Sequence, residues 1–151
     1  MSILIKSLDE LKTLVAQLRE RKQTIVFTNG CFDLLHEGHL YLLDKAKESG
    51  DILILGINSD ISVKQLKGNT RPIQNLEKRI DNLFQLRQLD FIIVFDELTP
   101  VRLIEIVQPD VLVKGGDYIV ENIAGHQIAK QTVIIPLLEG FSTTKQVNNP
   151  D

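Results

Sequence analysis

"TIVFTNGCFDLLHEGHL", residues 24–40, is the stretch on which the reading of this chain turns. Its opening residues, Thr24 to Thr28, are β-branched or apolar without alternation, the pattern of a strand buried on both faces. A polar loop follows at once and leads to His36 and His39, with Gly38 between them. Spacing of three puts the two imidazoles on one face where the loop turns into a helix, and Gly38 removes a side chain, so a ligand can approach the backbone. A helix N-terminus adds unsatisfied N–H donors and a positive dipole end, and imidazoles can donate to charge building on a phosphoryl oxygen. The stretch is in outline a phosphate site suited to phosphoryl or nucleotidyl transfer. Taken singly, either histidine would by default be a surface or capping residue. A metal pair is not expected, because "HEGH" is not the HExxH spacing and no cysteine or histidine lies close enough to complete a set.

Working outward, the alternation continues. The N-terminal segment, residues 1–22, is expected to be a helix packed on the domain: Ser7 and Glu10 have capping-box spacing, and Leu8, Leu11, Leu14, Val15 and Leu18 recur at helical intervals. After the motif, Leu42, Leu43 and Ala46 suit a helix from about Leu40 that ends near Gly50, and "DILILGIN" reads as a second buried strand. "LEKRIDNLFQLRQL" is an amphipathic helix, "FIIVF" a strand, "PVRLIEIV" a helix opened by Pro100, and "PDVLVKGG" and "QTVIIPL" two further strands. Five strands separated by helices predict a single-domain, doubly wound α/β fold with a mainly parallel five-stranded sheet. Ligands of such sheets bind beyond the carboxyl ends of the strands, where the polar clusters of this sequence fall.

Composition narrows the functions. The chain has 151 residues, 43% of them hydrophobic, with a net charge of −3, which argues against a nucleic-acid binder with a broad basic face. No apolar run approaches the roughly 20 residues of a membrane span, and "MSILIKSLDELK" lacks a signal peptide's apolar core; the expected location is the cytoplasm, without membrane partners. Cys31 is the only cysteine, which excludes an internal disulfide, and it is expected to serve packing. The dinucleotide fingerprint and the Walker motif are both absent.

"TNGCFDLLHEGHLYLLDKAKESGD" resembles the HxGH segment of the cytidylyltransferase-like nucleotidyltransferases, whose fold is Rossmann-like, and "STT" in "GFSTTK" resembles their second signature. Within them, "LKGNTRPI", "FDELTP", "PDVLVKGGDY", "IAG" and "STT" resemble the adenylyltransferases that make ADP-heptose and pyrophosphate from ATP and D-glycero-β-D-manno-heptose 1-phosphate. The resemblance runs from about Lys6 to Val147. It implies a counterpart of the adenylyltransferase half of the bifunctional heptose kinase/adenylyltransferases, with a product destined for lipopolysaccharide or another surface glycan. A cytidylyltransferase acting on glycerol 3-phosphate, or a non-catalytic nucleotide-binding module, are the alternatives. Against the first, this chain has Leu137-Leu138-Glu139 where such enzymes usually carry an arginine, and it has the lysine of "VKGGD", which they usually lack. It departs from the heptose family in having "AKQT" where a Gly-Gly pair often precedes the last strand.

The resemblance implies in-line attack by the sugar phosphate on the α-phosphorus of ATP. His36 and His39 would stabilise the transferring group. Thr28, Asn29, Gly30, Phe32 and Asp33 would floor the nucleotide site, with Gly38 beside them, and Ser142, Thr143 and Thr144 would hold the leaving phosphates. Lys64 or Lys67, Arg71 and Arg79 would gather around the phosphates, a solvated helix face being the other reading of the two lysines. Lys114 ends a predicted strand and precedes two glycines, which makes it a candidate ligand contact. Asp60 and Asp117 sit at comparable strand ends and can bond sugar hydroxyls or cap a helix. Magnesium is expected with ATP, held by phosphates and water rather than by a protein cage; residues 146–151 are expected to fray, and the resemblance leaves a homodimer open.

Overall fold

A computed structural model of the chain describes residues 2–116 and 118–136. Six strands form one sheet: β1 (Ile3–Ile5), β2 (Ile25–Gly30), β3 (Ile52–Asn58), β4 (Phe91–Phe95), β5 (Val111–Gly115) and β6 (Gln131–Ile135). They lie in the order β1-β4-β3-β2-β5-β6, and every pair is parallel. Five helices connect them: α1 (Leu8–Glu20), α2 (Glu37–Glu48), α3 (Asp60–Lys67), α4 (Leu76–Phe84) and α5 (Val101–Val107), with a short 3-10 turn at Val120–Asn122. Successive strands step outward from β2 through β3 to β4, and the chain then crosses to β5 and β6 on the other side. The carboxyl ends of β2 and β5 therefore flank the switch point at which doubly wound sheets bind ligands.

The five expected strands are present and the sheet has a sixth. Helical spacing predicts a helix over residues 1–22; instead Ile3–Ile5 pairs in parallel with Phe91–Ile93, and only Leu8–Glu20 is helical. Ser7 caps that helix as its spacing predicts, accepting from the Glu10 N–H at 3.1 Å. Helix α2 begins at Glu37, three residues before its expected start. Helix α4 stops at Phe84 although the apolar pattern runs to Leu89, because Leu89 reaches the core from a turn.

Alternation along each strand feeds two cores. From β2, Ile25 and Phe27 join a cluster with α1 and α5, while Val26 faces the opposite cluster with α2 and α4. Burial on both faces explains why the strands read as unbroken apolar runs. Three aspartates close the amino edge of the sheet. Asp51, Asp90 and Asp110 each directly precede a strand, and each accepts a backbone N–H from a neighbouring segment, of Thr24, Leu53 and Ile25 respectively, all at 2.8 Å. Asp110 also pairs with Arg19 at 2.6 Å and Lys130 at 3.1 Å. Burial alone would raise its pKa, but the Ile25 N–H and the two cations prevail and lower it to about 2.

Candidate active site

The ladder between β2 and β5 is short. Val26 and Phe27 pair with Val111 and Leu112, and there the backbone register ends. The next residue, Thr28, donates its hydroxyl to the Val113 carbonyl at 2.9 Å, so a side chain spans the strands where the ladder stops. Beyond it opens a cleft of about 790 Å³. Asn29, Gly30, Phe32, His36, Gly38 and His39 line one side, Lys114, Gly116, Tyr118 and Asn122 another, and Lys67, Leu98 and Thr99 reach it from α3 and the β4–α5 loop.

The two histidines sit at the helix start in a reciprocal arrangement. His36 is the N-cap of α2; its Nδ1 accepts from the Gly38 N–H at 3.0 Å, while Nδ1 of His39 accepts from the His36 N–H at 3.2 Å. The rings stack with centroids 3.8 Å apart. Imidazole thus takes the place that serine and glutamate hold in the usual capping box. Capping does not take either residue out of the cleft, since both belong to its lining. Because each Nδ1 accepts a hydrogen bond, the neutral ring carries its hydrogen on Nε2.

Packing behind the rings holds them in place. Phe32 lies 5.2 Å from His39, centroid to centroid, and a Cβ on Gly30 would come within 2.9 Å of the Phe32 ring. Glycine is required there for the ring to fold back. Phe32 and Leu34 have φ of 51° and 57°, in the left-handed region that bulky residues seldom occupy. Such strain concentrates where surrounding structure enforces it.

Several expected ligand contacts are placed elsewhere. The Thr28 side chain is fully buried and spans strands instead of flooring the nucleotide site. Asp33 is also fully buried, its carboxylate accepting from Arg71 Nε at 3.1 Å and from the N–H groups of Ile73 and Gln74 at 2.7 and 2.9 Å. Arg71, 1% exposed, lies beside it and outside the cleft lining. Arg79 has no exposure: it donates to the carbonyls of Cys31 and Asn58, each at 2.8 Å, to the Gln74 carbonyl at 3.1 Å, and to Asp60 at 2.7 Å. It is a brace between the ends of β2 and β3, and Asp60, its partner, keeps a side chain that is 44% exposed but lies outside the cleft lining. Between the two lysines the structure separates the readings: Lys67 lines the cleft and Lys64 does not. Asp117, Ser142, Thr143, Thr144 and the 146–151 tail lie outside the described residues.

Leu98, Thr99, Tyr118 and Asn122 line the cleft without having been singled out from sequence. The usable signal was position, for each follows the carboxyl end of a strand. Among the described residues, no three His, Cys, Asp or Glu side chains are grouped to hold a metal ion, and no helix is long and apolar enough to cross a membrane.

Comparison with known proteins matches this geometry. The chain is 51% identical over 140 residues to the bifunctional protein HldE of a Nitratiruptor species, covering 93% of this chain and 30% of that protein. It is 50% identical over 143 residues to HldE of Wolinella succinogenes, covering 95% of this chain and again 30% of the relative. The chain therefore spans under a third of the length of these relatives. Among solved structures, the lipopolysaccharide core biosynthesis protein of Thermoplasma volcanium superposes with a TM-score of 0.65 at 25% identity, covering 78% of this chain and 99% of that one. The cytidylyltransferase-like family matches residues 27–141, a span that runs from within β2 past the end of β6 and holds both histidines and the cleft lining, and the chain belongs to that family.

Proposed function

We propose that the chain transfers an adenylyl group from ATP to the phosphate of a heptose 1-phosphate, giving ADP-heptose and pyrophosphate. The observation that carries this is the reciprocal histidine cap at the mouth of the β2–β5 cleft. It presents two imidazoles of defined tautomer beside a helix N-terminus, which suits a phosphoryl group under attack. Support for the substrate comes from the resemblance of the "KGGDY" and "RPI" segments, from half-identical relatives named as bifunctional, and from a structural neighbour named for lipopolysaccharide core synthesis.

A phosphate oxygen of the sugar attacks the α-phosphorus while the bond to the β-phosphate oxygen breaks and pyrophosphate departs. The nucleophile is already an anion, so the site needs no general base; alignment and charge stabilisation supply the rate. His36 and His39 donate from Nε2 to the α-phosphoryl oxygens. Lys114 and Lys67, both in the cleft lining, neutralise phosphate charge. Magnesium would come with ATP, held by phosphate oxygens and water. The surroundings expected are those of the cytoplasm, where ATP is available.

The test is pyrophosphate release with magnesium, pairing ATP or CTP with heptose 1-phosphate or glycerol 3-phosphate. Release with ATP and the heptose phosphate alone is the expected result. Release with CTP and glycerol 3-phosphate would overturn the substrates, and nucleotide binding without release from any pair would overturn the enzyme.

A further inference from the structure

Lys114 lies in β5 at the switch point, and its ammonium Nζ lies over the ring of Tyr118, 5.4 Å from the centroid. The chain reaches this arrangement through Gly116, whose φ is +112° and where an added Cβ would stand 3.2 Å from the Tyr118 ring. A side chain there would meet both an unfavourable backbone conformation and the ring itself. Tyr118 remains 45% exposed, and both it and Lys114 line the cleft. A large aromatic residue so exposed makes little contribution to the core.

We propose that Tyr118 is a positioning residue for Lys114, and that its ring face holds the ammonium at the cleft so that an incoming sugar phosphate meets a cation already in place. A lysine has a long, flexible stem and loses rotamer freedom when it is fixed on a ligand. Attraction to a ring face restrains the ammonium beforehand, and preorganisation of this kind appears as affinity rather than as turnover. The phenol hydroxyl takes no part. The role of Lys114 toward the sugar phosphate rests on the function proposed above, whereas the ring contact does not.

Two measurements test the pair separately. In the first, the ε-methylene of Lys114 is observed by 1H–13C NMR in the full chain without ligand and assigned by its loss in K114M. A ring below the ammonium shifts this signal upfield; the shift is expected to persist in Y118F and vanish in Y118L. An unshifted signal in the wild type, or one unchanged in Y118L, overturns the contact whatever the enzyme's substrate proves to be. In the second, pyrophosphate release is followed as heptose 1-phosphate is varied. Y118L is expected to raise KM for the sugar phosphate roughly threefold to tenfold with kcat little altered, Y118F to restore the wild-type value, and Y118L to add nothing further in a K114M background. Effects of Y118L and K114M that multiply, or a Y118F as impaired as Y118L, would overturn the positioning role. A wild type that releases no pyrophosphate from this substrate would instead count against the proposed function, leaving the NMR result to decide the contact.

Discussion

The two walls of the cleft are held by different means. On the β2–β3 side, buried charge does the bracing: Arg79 ties the Cys31 and Asn58 carbonyls to Asp60, and Asp33 gathers Arg71 with two backbone N–H groups of the following loop. On the β5 side, the described ties toward β2 beyond the ladder are lighter: one threonine hydroxyl spans the strands and the face of one tyrosine lies against Lys114, while β5 is otherwise held by its pairing with β6. The histidines stand on the braced wall and Lys114 on the light one. On the proposed function, groups that must meet a transition state benefit from a rigid mount, whereas a cation that receives a sugar phosphate can tolerate a softer one.

On that contrast, the largest effect belongs to Arg79. R79M leaves the buried carbonyls of Cys31 and Asn58 without their donor, and each buried acceptor left unsatisfied typically costs about 1–3 kcal/mol. R79K should recover little, because an ammonium cannot reproduce the spread of a guanidinium. Urea unfolding measures both, and a loss below about 1 kcal/mol for R79M, the ordinary worth of a single hydrogen bond, would mean that the wall is not braced by charge. Next come the histidines, where H36A or H39A should lower kcat about a hundredfold. H36N sharpens the point, since asparagine is among the best N-caps: stability should return with it while the rate does not. A rate within about threefold of wild type, far short of the loss expected of a transition-state donor, would leave His36 as a cap and nothing more.

How much of this could be read from sequence follows from how local each feature is. β2 to β5 were legible because burial writes a continuous apolar run into the chain, and β6, a partly exposed edge strand, was legible from its β-branched run. β1 was not, since three residues carry no period, and Ile3–Ile5 becomes a strand only through its pairing with β4. His36 and His39 were legible as a pair because three residues span one helical turn. The bracing place of Arg79 was not legible because its acceptors lie in separate segments, at Cys31, Asn58, Asp60 and Gln74, and only the fold brings them together. The place of Asp33 is hidden for the same reason. Tyr118 and Thr99 carry no signal of their own beyond position, each following a strand end and lining the cleft.

At the opposite edge of the sheet, Asp110 sets how firmly the lighter wall is anchored where β5 begins. Against the effect of burial, the Ile25 N–H and the cations beside it lower its pKa from 3.8 to about 2 in the folded protein. A carboxylate with a depressed folded pKa stabilises fully above its unfolded value, and that contribution drains away as pH falls from about 4 toward 2. D110N should therefore be less stable than wild type at neutral pH, with the gap narrowing through that acid range. A gap that stays constant as urea unfolding is repeated at falling pH would mean that packing, and not ionisation, sets the difference.

Thr28 is where the two walls touch, and its effect should be the smallest. T28V keeps the shape and removes one hydroxyl donor, for which about 1 kcal/mol is the ordinary cost; T28S restores the donor and should restore stability. The consequence for function is local, because the acceptor is the carbonyl of Val113, one residue before Lys114. Without it, the carboxyl end of β5 is free to move away from β2 just past the last paired residues, Phe27 and Leu112. On the proposed function, KM for the sugar phosphate should then rise by a few-fold while kcat, assigned there to histidines mounted across the cleft, stays close to wild type. A T28V protein that loses kcat as heavily as H36A would show that the walls do not behave independently, and that the hydroxyl holds the whole cleft in register.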